Sequence, residues 1–313
     1  RVASRGLGDV YKRQAIMILA WTIADVRYRF RINSAPFPIH KVSFWVVSLV
    51  GLATLLTDLW IGAGWYIPRG NLIKAVEWQA ILAGLILVTF FVWSWFAFIK
   101  PPKFGRFNAE KYTHNLHDFI QRSKSEELAV IADEIQESID NILLYASGDN
   151  VNPKNKKQYQ AAMATLLLIA DQRFCSAIIS SSPSTILKFF NEAREARHGE
   201  WMVQIGPFAK NILTKALENR GSFIYRETSA YESGIIGHQK LITNAMFSDH
   251  YFLENIEIGL DVHLKDDGWR PDQFEAYARC IEIAFDDYCE RSYPGHSFVC
   301  LLYTSDAADD VRG

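Results

Sequence analysis

The 313-residue chain carries 33 basic and 35 acidic side chains, a formal net charge of −2. That balance leaves no basic footprint and excludes nucleic acid as the expected partner. Seven of the nine tryptophans precede residue 100, a composition shift that predicts two regions lying in different solvents.

The stretches 1–14 and 301–313 read as non-native. Gly8 to Gln14 ("GDVYKRQ") and Cys300 to Asp310 ("CLLYTSDAADD") resemble translated sequencing-adapter sequence, as in a metagenomic fragment. The expected body is 15–300, with 28 basic and 31 acidic residues.

Three apolar runs open that body. Ala15 to Ala24 is too short for a span and reads as the surviving half of a truncated one over about 15–26, with an interfacial helix as its rival. Val42 to Trp60 has 19 residues and one charge, Asp58, whereas Ala80 to Ile99 has 20 and none. At about 1.5 Å per residue each reaches roughly 30 Å, the hydrocarbon thickness. A membrane region over 15–104, with spans near 15–26, 42–60 and 80–99, is the expectation.

Charge sets the orientation. Arg27, Arg29, Arg31 and Lys41 precede the first full span, and Lys100, Lys103, Arg106 and Lys111 follow the second; between them stand only Arg69 and Lys74, offset by Glu77. Both basic flanks belong on the cytoplasmic side, which puts the C-terminal part there too. Arg27, Arg29, Arg31 and Lys41 are the expected lipid-facing cations, mixed with Phe and Tyr at the headgroups. Asp58 then lies near the far boundary, beside Trp60, Trp65, Tyr66 and Trp78. A span shifted to 48–67 would instead centre Asp58 as an ion or proton ligand, with Gly62 and Gly64 allowing a re-entrant bend.

Lys100 to Arg106 ("KPPKFGR") stops the helix, because its prolines lack an amide donor and restrict the residues before them. From there to residue 300 the signals are helical. Asn108 is a fair N-cap, and Ser123 with Glu126 has capping-box spacing. Leu128, Ile131, Ile135, Ile139, Ile142 and Leu143 form one apolar stripe. The run 161–170 reads as a core helix rather than a span. Pro183, Pro207 and Asp272 open further helices, while 222–265 predicts short helices and loops, with a small hairpin near 257–264 as an alternative. The expected fold is therefore all-α: a transmembrane helical hairpin plus a truncated N-terminal span, then a cytoplasmic α-helical domain.

Chemistry is sparse. There is no phosphate loop, H-E-x-x-H helix or nucleophile elbow. His114 and His117 share a helix face with Asp118 adjacent, a pattern that holds a metal or moves a proton if further ligands arrive. His238, Asp249 and His250 lie in the irregular segment and mark a candidate binding region. Cys175, Cys280, Cys289 and Cys300 form no C-x-x-C pair and read as a reduced thiol set; a zinc site from Cys280, Cys289 and His296 fits no common spacing.

The expectation is a bacterial inner-membrane protein whose cytoplasmic helical domain senses, scaffolds or signals, needing no cofactor. Its partners are the lipid bilayer and a protein or second copy. Two alternatives are an oligomeric ion conduit or membrane effector using Asp58, and a membrane-tethered metal-dependent enzyme using the histidines.

Overall fold

In a computed structural model of the chain, the described residues are 25–63, 75–147, 156–195, 205–228, 241–256 and 268–291, and their regular elements are all helices. The chain divides into two compact units, Arg1–Lys103 and Phe104–Gly313. The truncated span expected over 15–26 lies outside the described residues except for Asp25 and Val26.

The first unit contains α1 (Val26–Ser34), α2 (Ile39–Gly62) and α3 (Ala75–Ser94), which runs on into a π-helical turn, Trp95–Ile99. The arginine-bearing segment before the first full span is thus partly a helix. Asp25 nucleates α1 by accepting the Arg27 amide at 2.8 Å. Ile32, Ala35 and Ile39 then bury against Trp93 and Phe96, and the Tyr28 ring lies 4.7 Å from that of Phe98.

Helices α2 and α3 run antiparallel, since Ile39 meets Trp93 and Phe96 while Trp78 and Gln79 meet Thr57 and Asp58. Their apolar stretches, Ile39–Trp60 and Glu77–Ile99, have 22 and 23 residues, long and apolar enough to cross a membrane. In the most apolar 18 residues of each, only 6% and 11% of the residues are buried by the chain itself. Leu49, Leu52, Leu55, Leu59, Phe90 and Phe91 are among the exposed side chains. Three threonine hydroxyls in these helices are paired without water: Thr54, Thr57 and Thr89 donate to the carbonyls of Val50, Ala53 and Leu85.

The second unit comprises α4 (Ala109–Arg122), α5 (Ser125–Gln136), α6 (Ile139–Ala146), α7 (Lys156–Ile169), α8 (Gln172–Ser181), α9 (Pro183–Glu195), α10 (Gly206–Glu218), α11 (Phe223–Thr228), α12 (Leu241–Phe247), α13 (His250–Asn255) and α14 (Pro271–Arg291). Helix α4 packs on α7, α5 on α8, α10 on α8, and α9 across α5, α6 and α12. An aromatic seam of Phe189, Phe190, Phe208 and Phe252 joins α9, α10 and α13, with Phe189 and Phe208 only 4.5 Å apart. Ideal Cβ geometry at Gly206 would sit 2.5 Å from the Ile256 carbonyl oxygen, so only glycine lets α10 start this close to the end of α13.

Two expectations shift in this unit. The capping box sits one residue later, with Lys124 as N-cap and its amide donated to Glu127 at 3.3 Å, because Ser123 instead closes α4. The apolar stripe 128–143 breaks into α5 and α6, and Ser138 at the break accepts the Phe104 amide at 3.1 Å. The 161–170 run is a packed part of α7; α7 and α8 together are apolar enough for a broken span but bend by 73°. The short helices expected over 222–265 are α11, α12 and α13; the hairpin alternative near 257–264 lies outside the described residues.

Helix ends leave unpaired amides and carbonyls, and side chains from distant elements satisfy them. The Arg173, Asn211 and Lys188 side chains donate to the carbonyls of Ser123, Ala170 and Gln136 at 2.6, 2.6 and 2.9 Å. Buried Glu227 does the converse for α12, accepting the amides of Ile242 and Thr243 and the Thr243 hydroxyl at 2.7–3.1 Å. Glu227→Ala strands those buried donors and should cost about 2–3 kcal/mol, lowering the melting midpoint of the detergent-solubilised chain by roughly 5–10 °C. Circular dichroism melting measures this; an unchanged midpoint would remove the carboxylate from the account of α12.

Candidate functional site

The end of the hairpin where α2 finishes and α3 begins is held by two side-chain bonds. The Gln79 amide donates to Asp58 Oδ1 at 3.0 Å, and the Trp78 indole donates to Thr57 Oγ1 at 3.2 Å. Asp58 is exposed and lies two residues before Trp60, the last residue of the first apolar stretch. A carboxylate there is within reach of water at small cost, whereas one in mid-bilayer would cost several kcal/mol. Gln79, its partner, went unnoticed in the sequence because it falls before the Ala80 start read for the second span.

The opposite end of the unit is basic. Arg31 Nη1 donates to the Ala97 carbonyl at 2.9 Å, and its guanidinium lies 5.9 Å from the Tyr28 ring centroid. The π-helical turn directs Lys100 N onto Trp95 O, and Arg31 supplies the donor for Ala97. Arg31 therefore fastens α1 to the end of α3 as well as carrying charge. Arg29 and Lys41 are exposed and Arg27 is half-buried on the same end.

In the second unit His114 and His117 project from α4 with near-parallel rings 6.5 Å apart. Asp118 carboxylate oxygens stand 4.0 Å from His114 Nε2 and 3.8 Å from His117 Nδ1, too long for hydrogen bonds. His114 is 80% exposed. The two histidines line a shallow groove of about 660 Å³ between α4 and α7 with Glu110, Gln160 and Leu167. Beneath it Thr113 and Thr165 hydroxyls lie 2.8 Å apart. Among the described residues no three His, Cys, Asp or Glu side chains come close enough to hold a metal.

Asp249 and His250 come together, but both are 1% exposed. Asp249 caps α13 by accepting the Phe252 amide at 3.0 Å, with Arg194 Nε 3.8 Å from its other oxygen. The His250 amide donates to Asp287 at 2.9 Å, its ring lies 4.9 Å from that of Tyr288, and its Nε2 is 3.3 Å from Glu254. These are the contacts of a helix start packed into the core. His238 lies outside the described residues.

One charged cluster was not anticipated. Arg220 and Arg270 grip the two oxygens of Asp272 at 2.8 and 3.2 Å where α14 begins. Burial would raise the Asp272 carboxyl, but the two guanidiniums hold it below the usual carboxylate range. Burial, reinforced by Asp272, pushes the nearby Tyr225 phenol up, and that phenol donates to the Leu217 carbonyl at 2.7 Å. The cluster closes α10 onto α14. Burial first, and then Asp171, pushes the Cys175 thiol far above the usual range.

Compared with known proteins, the chain matches no family model, no curated protein and no solved structure.

Arg31→Gln should lower the stability of the detergent-solubilised chain by about 1–2 kcal/mol, through loss of a charged donor to Ala97. Lys41→Gln, at an exposed position, should stay within about 0.5 kcal/mol of the parent. Equal effects of the two substitutions in thermal melts would contradict the assignment.

Proposed function

We propose that this is an inner-membrane protein of a bacterium in which α2 and α3 cross the bilayer as a hairpin and hold the second unit in the cytoplasm. There the helical unit senses, scaffolds or signals through a protein partner or a second copy. The observation that carries the reading is the apolar surface of α2 and α3, in whose apolar stretches only 6% and 11% of the residues are buried by the chain itself. Water cannot lie against that surface at tolerable cost, whereas hydrocarbon can. The cytoplasmic placement is supported by the five basic residues gathered at one end of the hairpin, Arg27, Arg29, Arg31, Lys41 and Lys100, against two, Arg69 and Lys74, between the spans, where Asp58 and Glu77 offset them.

A non-catalytic role is supported by what the candidate residues do. Asp249 and His250 are spent on capping and packing α13. Asp58, bonded to Gln79 at the hairpin's end, fits a boundary clasp better than the mid-bilayer ligand of an ion conduit.

Native Cys289 provides the test, being exposed while Cys175 and Cys280 are buried. With Cys300→Ser in the full chain, a membrane-impermeant maleimide should label Cys289 only after spheroplasts are permeabilised. Labelling in intact spheroplasts would place the second unit outside. Turnover by the purified full chain on a broad panel of hydrolase and transferase substrates would replace the non-catalytic reading.

A further inference from the structure

We propose that the end of the second unit where α4 and α7 begin docks onto anionic phospholipid headgroups, with Phe107 as the inserted side chain. The inference rests on the membrane-anchored reading above and adds a second, peripheral contact with the same bilayer.

Phe107 is 85% exposed, more than any other large hydrophobic side chain among the described residues. It is presented by a fixed turn. Phe104, fully buried, donates its amide to Ser138 and sets its ring edge-on to Tyr112 at 5.6 Å. The amides of Asn108 and Ala109 both return to the Gly105 carbonyl, and Gln158 on α7 donates to the Arg106 carbonyl at 3.2 Å. An aromatic ring pushed outward from a turn tied at both sides is poorly explained by packing within the chain.

Cations surround it. Arg106, Lys111, Lys156 and Lys157 are all exposed, and Arg106, Lys111 and Lys157 line with Phe107 a recess of about 270 Å³. Among the described residues lining this recess the acid is Glu110, which Lys157 approaches to 3.4 Å. An aromatic ring framed by lysine and arginine matches the boundary between acyl chains and phosphate, where the ring is buried and the cations meet anionic headgroups. Phe107 also follows Ile99, the end of the second apolar stretch, by only eight residues, a short tether to the bilayer that the stretch enters. The ligand chemistry is a phosphate-bearing anion, and the source assigned here is the lipid.

The test uses the full chain with Phe107→Cys, Cys289→Ser and Cys300→Ser, labelled with a small environment-sensitive fluorophore and placed in nanodiscs. Phosphatidylglycerol discs should protect the label from aqueous iodide by about two-fold or more relative to phosphatidylcholine discs, and salt near 1 M, where the Debye length is about 3 Å, should erase the difference. Lys156→Gln with Lys157→Gln should weaken that protection. Equal quenching in both discs would overturn the proposal, as would protection in phosphatidylcholine discs on adding inorganic phosphate, which would make the ligand a free anion. A chain that fails to enter either disc would instead overturn the anchored reading itself, an outcome distinguishable from either of these.

Discussion

Two helices of this chain turn nearly all of their leucine, valine and aromatic side chains outward, and the solvent that can cover such a surface constrains everything else. Inside hydrocarbon each backbone amide must be paired within its own helix, and the stretches of 22 and 23 residues do this over roughly 33–35 Å. Several of their polar side chains obey the same constraint. Three threonine hydroxyls fold back onto carbonyls one turn earlier, while the carboxylate, the glutamine and the guanidinium stay at the ends, where each has a partner. The ends are chemically unlike: a neutral-to-acidic clasp at one, a cluster of cations at the other.

The second unit solves a different problem. It has to close eleven described helices, several of six to eight residues, too short to be stable alone. Its solution is an apolar core with charged groups placed at helix termini. Lys188, Arg173 and Asn211 close C-termini; Glu227, Asp249 and Asp287 serve N-termini. Partners in these bonds lie up to 52 positions apart, so the polar network also fixes the tertiary arrangement. Two of the candidates for chemistry, Asp249 and His250, are occupied in this way.

That division explains what the sequence made legible. The two apolar helices announce themselves by length and composition, and Asn108, Pro183 and Pro207 mark helix starts through local backbone preferences that act alone. The break between α5 and α6 was invisible, because the 128–143 stripe keeps its period and the bond at the break comes from Phe104, 34 positions away. Helix α1 hid behind its arginines: "RYRFRINS" suggests headgroup contacts, but Arg31 turns onto a carbonyl on α3's π-helical turn. Asp249 and His250 were noticed as a polar pair among aromatics, yet their burial depends on α14, which arrives from much later in the chain. Phe107 attracted no notice, since a lone aromatic after a proline stop has no period to betray its exposure.

Whether α2 and α3 lie across a bilayer is tested most directly by a nitroxide scan over 42–60 and 80–99 in reconstituted full chain, with the native cysteines replaced. Collision with oxygen should exceed collision with a water-soluble relaxant throughout both stretches, with a maximum near the middle of each and a fall towards Asp58, Gln79, Lys41 and Lys100. Strong, position-independent collision with the water-soluble agent along either helix would contradict the account.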